Sequence, residues 1–287
     1  MANLKEIRNR ITSVSSTMQI TSAMKMVSAA KLKKAQDAIT EMRPYSDKLT
    51  QLLQSLSASL DAESASKFSE QRAVNKVLLV AVTSNRGLCG AFNSNIIKEV
   101  NRLSTEKYAG KDVYYLAVGK KANDAFKKTN KVIANKSDLF DNLTFENVAE
   151  IAQTLMTQFV EGEFDKIEVV YNQFKNAATQ VVTAEQFLPI LPIESDEKAT
   201  NVDYIFEPSK EEIIEQLIPK SLKMQLYKGI RDSFASEHGA RMTAMHKATD
   251  NAKELRDQLK LTYNKARQAA ITNEILEIVG GAEALNN

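Results

Sequence analysis

The sequence predicts an α/β protein in which an antiparallel coiled coil of N- and C-terminal helices flanks an α/β domain with a mostly parallel sheet. Three observations predict this fold: a heptad repeat near the N-terminus, a helical pattern from about Ser209 to Leu285, and alternating strand and helix patterns between them. We assign residues 1–60 to the N-terminal helix, 61–75 to a linker, 76–207 to the α/β domain and 208–287 to the C-terminal helix.

The N-terminal helix is predicted from about Asn3 to Ala58, with no glycine and one proline, Pro44, where we expect a kink or a local loosening. Its apolar residues alternate spacings of three and four, interrupted only at Ser46, as in a coiled-coil seam. A helix of this kind needs a partner, and the simplest one is the chain's own C-terminal helix, folded back antiparallel. The seam residues are Leu32, Ala35, Ile39, Met42, Leu49, Leu53, Leu56 and Leu60.

The middle of the chain begins with a continuous apolar run, Val77–Val82, which is typical of a strand buried on both faces. Strand and helix patterns then alternate, which indicates a Rossmann-like parallel sheet covered by helices. Two short runs near the end of the domain are expected to add antiparallel strands at the sheet edge, and Asn201–Phe206 to close the domain. The strands are predicted at Val113–Val118, Lys131–Ala134, Ile167–Tyr171, Thr179–Ala184 and Phe187–Ile193, and the helices at Ala91–Leu103, Lys120–Lys128 and Glu146–Val160.

Composition excludes several classes of protein. The 287 residues include 38 Lys and Arg against 36 Asp and Glu, and a net charge of +2 gives no indication of a nucleic-acid partner. The single cysteine, Cys89, excludes an internal disulfide framework and is typical of a reducing compartment. Neither a secretory signal nor a run of about 20 apolar residues is present, so we expect membrane association only through a partner.

Charge is distributed unevenly along the chain. The first 36 residues carry seven basic residues and one acidic residue, Glu6, whereas the last twenty carry only Glu274, Glu277 and Glu283. The basic run is either a solvated helix face or a collar that meets acidic loops of a partner, and both interpretations stay open. The basic residues are Lys5, Arg8, Arg10, Lys25, Lys31, Lys33 and Lys34.

The lengths of the two helices predict an unpaired C-terminal tip. If both leave the α/β domain together, Asn3 lies opposite roughly residue 265, which leaves about twenty residues, or about 30 Å of helix, without a partner. These residues are nevertheless apolar over about half of the helix circumference, as expected of a protein interface. The alternative is that the tip folds back onto the domain. The stripe comprises Ile271, Ile275, Leu276, Ile278, Val279, Ala282 and Leu285.

Motifs for chemistry are sparse. The turn after the first strand contains Gly87 and Gly90, but its sequence GLCG matches neither common phosphate-binding pattern, so we interpret it as a tight turn. Cys89 is interpreted as a buried structural thiol, and His238 and His246, eight residues apart, as interfacial or surface residues. We therefore predict no catalytic, cofactor-binding or metal-binding residues.

Several long motifs resemble the γ-subunit family of F-type ATP synthases, in its bacterial form. In that family Asp is common at the position of Asn85 and alanine at that of Gly239. The resemblance covers both helices and the domain. Its motifs are LKEIRNRI (Leu4–Ile11), MQITSAMKMVSAAKL (Met18–Leu32), SNRGLCGAFN (Ser84–Asn93), FEPS (Phe206–Ser209), ASEHGARMTAMHKATDNA (Ala235–Ala252) and YNKARQAAITNEILEIVGGAEAL (Tyr263–Leu285).

The resemblance implies a central rotor shaft, one copy per complex. It would pass ion-driven rotation of a ring of c subunits to a hexamer of three α and three β subunits for ATP synthesis, with ε as a further partner, no cofactor and no catalytic role of its own. It implies a peripheral location on the cytoplasmic side of the bacterial inner membrane. The implied interface with β and α comprises Met24, Lys25, Arg267, Gln268, Thr272, Glu274, Ile275, Ile278, Val279 and Leu285.

Two other classes of protein fit the residues less well. A nucleotide-dependent enzyme with a dimerisation stalk would need a phosphate-binding loop, which the residues do not supply. A coiled-coil scaffold would leave the apolar tip unexplained and would predict a stable homodimer in solution.

Overall fold

A computed structural model describes residues 4–57, 67–129, 131–190 and 210–285. The chain divides into two compact units. The terminal unit consists of Met1–Ser28 and Met242–Asn287, and the sheet unit of Ala29–Arg241.

The helices and strands follow the predicted order. The two terminal helices are continuous through Pro44 and Pro219, respectively. The elements are α1 (Leu4–Ser57), β1 (Lys76–Val82), α2 (Phe92–Arg102), β2 (Asp112–Val118), α3 (Lys120–Phe126), β3 (Val132–Asn135), α4 (Phe145–Val160), β4 (Lys166–Phe174), β5 (Gln180–Leu188) and α5 (Lys210–Leu285).

The five strands form one sheet in the order β3-β2-β1-β4-β5, in which β5 alone is antiparallel to its neighbour. The prediction of a mostly parallel sheet with an antiparallel edge is confirmed. The two short edge runs are in fact one strand, because Glu185 and Gln186 continue the ladder opposite Val169 and Glu168 of β4. Residues 191–193 of the second predicted run, and Asn201–Phe206, lie outside the described residues.

Strand β1 is buried on both faces, as predicted. Val77, Leu79 and Ala81 pack with α2 and α3, whereas the alternate residues of β1, such as Leu78, pack with α4 and α5. Helix α5 supplies Leu222, Leu226 and Ile230 to that second core. The last helix is therefore part of the core of the sheet unit.

A glycine fixes the junction of β2 and α3. Gly119 has φ +111°, and a Cβ at this position would lie 2.2 Å from the carbonyl oxygen of Thr83. Only glycine permits this approach of the β2 end to the β1 end.

The predicted heptad seam is buried in the sheet unit. Leu32, Ala35 and Ile39 are buried, and Met42 and Leu49 form a cluster with Met224 of α5. Ser46 is also buried, so the buried seam continues through the polar residue that interrupts the heptad pattern. Leu60 and the side chains of Leu53 and Leu56 lie outside what the structure describes.

Candidate functional site

In the terminal unit, the first part of α1 lies antiparallel to the last part of α5. Arg8 Nη2 donates to the Tyr263 hydroxyl at 2.7 Å, and Thr249 Oγ1 donates to Thr21 Oγ1 at 2.8 Å. Between these contacts α1 advances by 13 residues while α5 retreats by 14. In this register Leu4 lies opposite about residue 267, so the rest of α5 extends past the described part of α1.

The tip of α5, which we define as residues 268–285, exposes the predicted apolar stripe. Ile275 is 54% exposed and Ile278 is 71% exposed. Ile271, Leu276 and Val279 are exposed as well, and helical spacing places these side chains along one broad face. A contiguous apolar face of this kind is characteristic of a protein interface.

The predicted polar contact residues lie immediately before this tip or within its first turns. Arg267, Gln268 and Glu274 are exposed. Thr272 is exposed too, but its hydroxyl donates to the carbonyl of Gln268 at 2.9 Å and so is engaged within the helix. The side chain of Leu285, the last residue of α5, lies outside the described residues.

The other predicted contact, Met24 with Lys25, lies far from the tip. Both side chains are half-buried on α1. Lys25 Nζ lies 3.5 Å from His246 Nδ1, and that nitrogen lies 3.4 Å from Asp250 Oδ2. The 21 residues from His246 to Arg267 correspond to about 30 Å of helix, so the predicted interface residues form two separate groups.

An exposed apolar face on α1 was missed by the sequence reasoning. Ile20 is 60% exposed and Val27 58% exposed, and Ala23 and Ala30 are exposed on the same face. The spacing of three, four and three was present in the sequence, but it lies outside the seam that begins at Leu32. This face flanks Met24 and Lys25 and widens that candidate contact region.

In the sheet unit, the turn after β1 is held by side-chain hydrogen bonds. Asn93 Oδ1 accepts from the Ser84 amide at 2.9 Å, and Asn93 Nδ2 donates to Ser84 Oγ at 2.8 Å. Asn85 Nδ2 donates to the Ser137 carbonyl at 2.8 Å, while its Oδ1 accepts from the Lys120 amide at 2.9 Å. The turn is thus fixed to three neighbouring segments.

Helix α5 crosses the carboxyl ends of β4 and β1. Ser236 Oγ donates to the Asn172 carbonyl at 3.0 Å, and Arg241 Nη2 donates to the carbonyls of Arg86 and Gly87 at 3.4 and 3.3 Å. In open α/β sheets, ligands bind in the crevice at this end, where the strand order reverses. Here the chain's own helix lies across that end of the sheet.

The single thiol is buried, as predicted. Cys89 is 1% exposed and lies under the turn, where Asn93 Nδ2 approaches its Sγ at 3.1 Å. Burial raises the pKa of the Cys89 thiol above its usual value, which keeps it protonated and unreactive at neutral pH.

The interpretation of His238 as an interfacial or surface residue is wrong. His238 is 4% exposed and packs edge-on against Phe234, with its Nδ1 3.4 Å from Arg241 Nη1. Burial, reinforced by the charges of Arg241 and Lys31, lowers the pKa of His238 to about 4, so the ring is neutral. His246 is exposed, as expected.

Two further features, a metal centre and a membrane span, are absent from the described ranges. Among these residues, no group of three or more His, Cys, Asp or Glu side chains could hold a metal ion. No helix within the same ranges is long and apolar enough to cross a membrane.

Comparison with known proteins identifies the class. A family model described as ATP synthase matches residues 3–285. The chain is 75% identical over 285 residues to the ATP synthase gamma chain of Flavobacterium psychrophilum, covering 99% of each chain. It is 74% identical to that of Flavobacterium johnsoniae, covering 100% of both. The chain therefore belongs to the ATP synthase family, and within it the named relatives are gamma chains.

Solved structures share the fold. The central stalk with c-ring of Tetrahymena thermophila mitochondrial ATP synthase contains a chain with a TM-score of 0.61 and 28% identity, and the match covers 80% of this chain and 99% of that one. A chain of the Euglena gracilis mitochondrial ATP synthase matches with a TM-score of 0.70, 23% identity and coverage of 98% and 94%. The second likeness bears on the fold alone.

Proposed function

We propose that this chain is the central rotor shaft of an F-type ATP synthase, passing rotation of a ring of c subunits to the β subunits for ATP synthesis, and the reverse during hydrolysis. The observation that carries the proposal is the exposed apolar tip of α5, which extends past its helical partner. A sleeve formed by surrounding subunits would bury this tip. The chain itself is non-catalytic, because it is a gamma chain of the complex that catalyses ATP synthesis.

The partners in this proposal are a hexamer of three α and three β subunits, the ε subunit and the c-ring, with one copy of the chain per complex. A shaft without threefold symmetry contacts each β subunit differently at every angle. Only such differential contact can shift the three β subunits to different conformations.

Two interface regions follow from the two groups of residues. Met24 and Lys25 would meet an acidic mobile loop of β, with the ammonium of Lys25 oriented by His246. Near the tip, Arg267, Gln268, Thr272 and Glu274 would make polar contacts with β. The apolar residues Ile275, Ile278, Val279 and Leu285 would act as a bearing within the sleeve.

The chain would act at the cytoplasmic side of the bacterial inner membrane, held there by the c-ring. Its working parts would be the N-terminal helix (1–60), a linker (61–75), the α/β domain (76–207) and the C-terminal helix (208–287). Helix α5, which is 76 residues long, would belong to both the shaft and the α/β domain.

Co-purification tests the proposal. A tagged chain, expressed with its own α and β subunits, should purify as a complex with one copy per three α and three β chains. A free homodimer that turns over nucleotide would refute the proposal in favour of an enzyme or a scaffold.

Deletion of residues 278–287 tests the bearing. Because the proposed contacts of the deleted residues Ile278, Val279 and Leu285 are apolar, the deletion should reduce the yield of assembled complex before it reduces coupled turnover per complex. Complete loss of rotation in well-assembled complexes would show that the tip drives rotation instead of guiding it.

A further inference from the structure

Three residues of α5 attach this helix to the carboxyl end of the sheet through contacts with backbone atoms. We propose that this joint, formed by Ser236, Gly239 and Arg241, is the element that transmits torque between the sheet and α5. The inference rests on the proposed function of the chain as a rotor shaft.

The first contact is a buried hydrogen bond to β4. Ser236 is 0% exposed and donates to the carbonyl of Asn172, whose own side-chain amide donates to the Phe92 carbonyl at 3.2 Å. Helix α5, strand β4 and helix α2 are thereby linked in one buried polar chain. Rotation of α5 relative to the sheet would leave these buried groups without partners, which is strongly unfavourable.

The second contact brings two backbones together. A Cβ at Gly239 would lie 3.0 Å from the carbonyl oxygen and 3.2 Å from the Cα of Ala177, just after β4. Glycine disfavours a helix interior, but here it fits a close approach in which an added Cβ would displace the Ala177 segment by a few tenths of an ångström. Because the backbones of α5 and the Ala177 segment are in direct contact, steric overlap would hinder the sliding of one past the other.

The third contact reaches the turn after β1. Arg241 is 8% exposed and its Nη1 donates to Glu237 Oε1 at 2.6 Å, which orients the guanidinium so that Nη2 reaches the Arg86 and Gly87 carbonyls. The ion pair is buried, and removal of either partner would leave the other charge buried and unpaired. Arg241 and Glu237 therefore act as a unit that holds α5 to a second strand end.

These contacts resist torque because they are off the helix axis and attach to two different strands. Apolar packing of α5 through Leu222, Leu226 and Ile230 is non-directional and permits small rotations, whereas backbone contact and hydrogen bonds, among them that of Gln225 to β5, do not. Since α5 is a single helix from Lys210 to Leu285, a load applied to its later turns arrives at this joint.

The test measures torsional stiffness in the assembled complex. A rod is attached to the sheet unit through Lys98→Cys, an exposed position on α2, in a Cys89→Ala background. The α and β hexamer is fixed to a surface and stalled with a non-hydrolysable ATP analogue, and the angular variance of the rod is recorded. The variants are Glu237→Gln/Arg241→Met and, as a milder change, Ser236→Ala.

The matched control is Arg231→Met, which removes an arginine from the same helix. Arg231 Nε donates to the Tyr227 hydroxyl of α5 itself, so its loss leaves the α5 joint intact. We expect the angular variance to at least double in Glu237→Gln/Arg241→Met and to stay at the wild-type value in Arg231→Met, at matched thermal stability.

Equal variance in the wild type and the joint variants, or the same increase in Arg231→Met, would overturn the joint. If the double variant does not assemble, the angular variance of Ser236→Ala is compared with that of the wild type and of Arg231→Met in its place, and the same two results would overturn the proposal. If instead the wild-type chain forms no complex with α and β subunits, it is the proposed function that fails, before the joint is tested.

Discussion

Replacing Asp232 with asparagine should stabilise the protein at neutral pH and leave it unchanged near pH 4. Asp232 is 7% exposed on α5, close enough to Glu185 of β5 for their charges to repel. Burial, reinforced by Glu185, raises the pKa of Asp232 from 3.8 to about 6, although Lys228 and Arg43 oppose the shift. The carboxylate form is therefore disfavoured in the folded state.

The size of the effect follows from proton linkage. A folded-state pKa above the unfolded value means that the folded protein binds more protons, so stability is complete below pH 4 and falls as pH rises through 6. One pKa unit corresponds to about 1.4 kcal/mol, so a shift of about two units costs the folded state at most about 3 kcal/mol above pH 6. Asparagine cannot ionise and avoids this cost.

Urea unfolding of the full-length chain, followed by circular dichroism from pH 4 to 8, measures the difference. The gap between Asp232→Asn and wild type should open between pH 4 and 6 and stay constant above. Asp124→Asn, which removes an exposed aspartate paired with Lys127, should change stability by no more than about 0.5 kcal/mol at any pH. Parallel pH profiles for wild type and Asp232→Asn would refute the reasoning.

Two further predictions concern the sheet unit. Gly119→Ala should destabilise the chain by more than about 2 kcal/mol in the same urea assay, because the new Cβ would clash with the Thr83 carbonyl at a positive φ; a loss below 1 kcal/mol would contradict the geometry. Cys89 should react with a thiol-specific reagent at least tenfold more slowly in the native chain than in urea, because burial both covers it and raises its pKa; equal rates would show an open turn.

The fold could be predicted from the sequence because its main elements have strong, regular patterns. Val77–Val82 is a continuous apolar run, which is typical of a strand that is buried on both faces of a parallel sheet. The unpaired apolar tip was predictable because each helical residue adds a fixed rise, so the residue counts of the two helices show that the C-terminal helix extends past its partner. The edge strand was split in two because Glu185 and Gln186 are polar, and the partners that accommodate them, Tyr171 and Gln225, are remote in sequence.

The polar core between α5 and the sheet could not be predicted. His238 and Arg241 lie on a helix whose neighbours are small and charged, a pattern that is also typical of an exposed face. They lie beside Gly239, where the segment at Ala177 approaches the helix closely, and that segment is over 60 residues earlier in the chain. Periodicity within one helix carries no information about such a contact.

Because α5 completes one of the two cores, that core cannot finish folding until α5 has been synthesised. Strands β1 to β5 are all made before Leu222, Leu226 and Ile230 leave the ribosome, and until then the sheet face that these residues cover is open to water. The same late helix also supplies the partner for the earliest part of α1. The nascent chain thus carries a half-covered sheet and an unpaired helix until α5 is made, because this one helix covers the sheet face and pairs with α1.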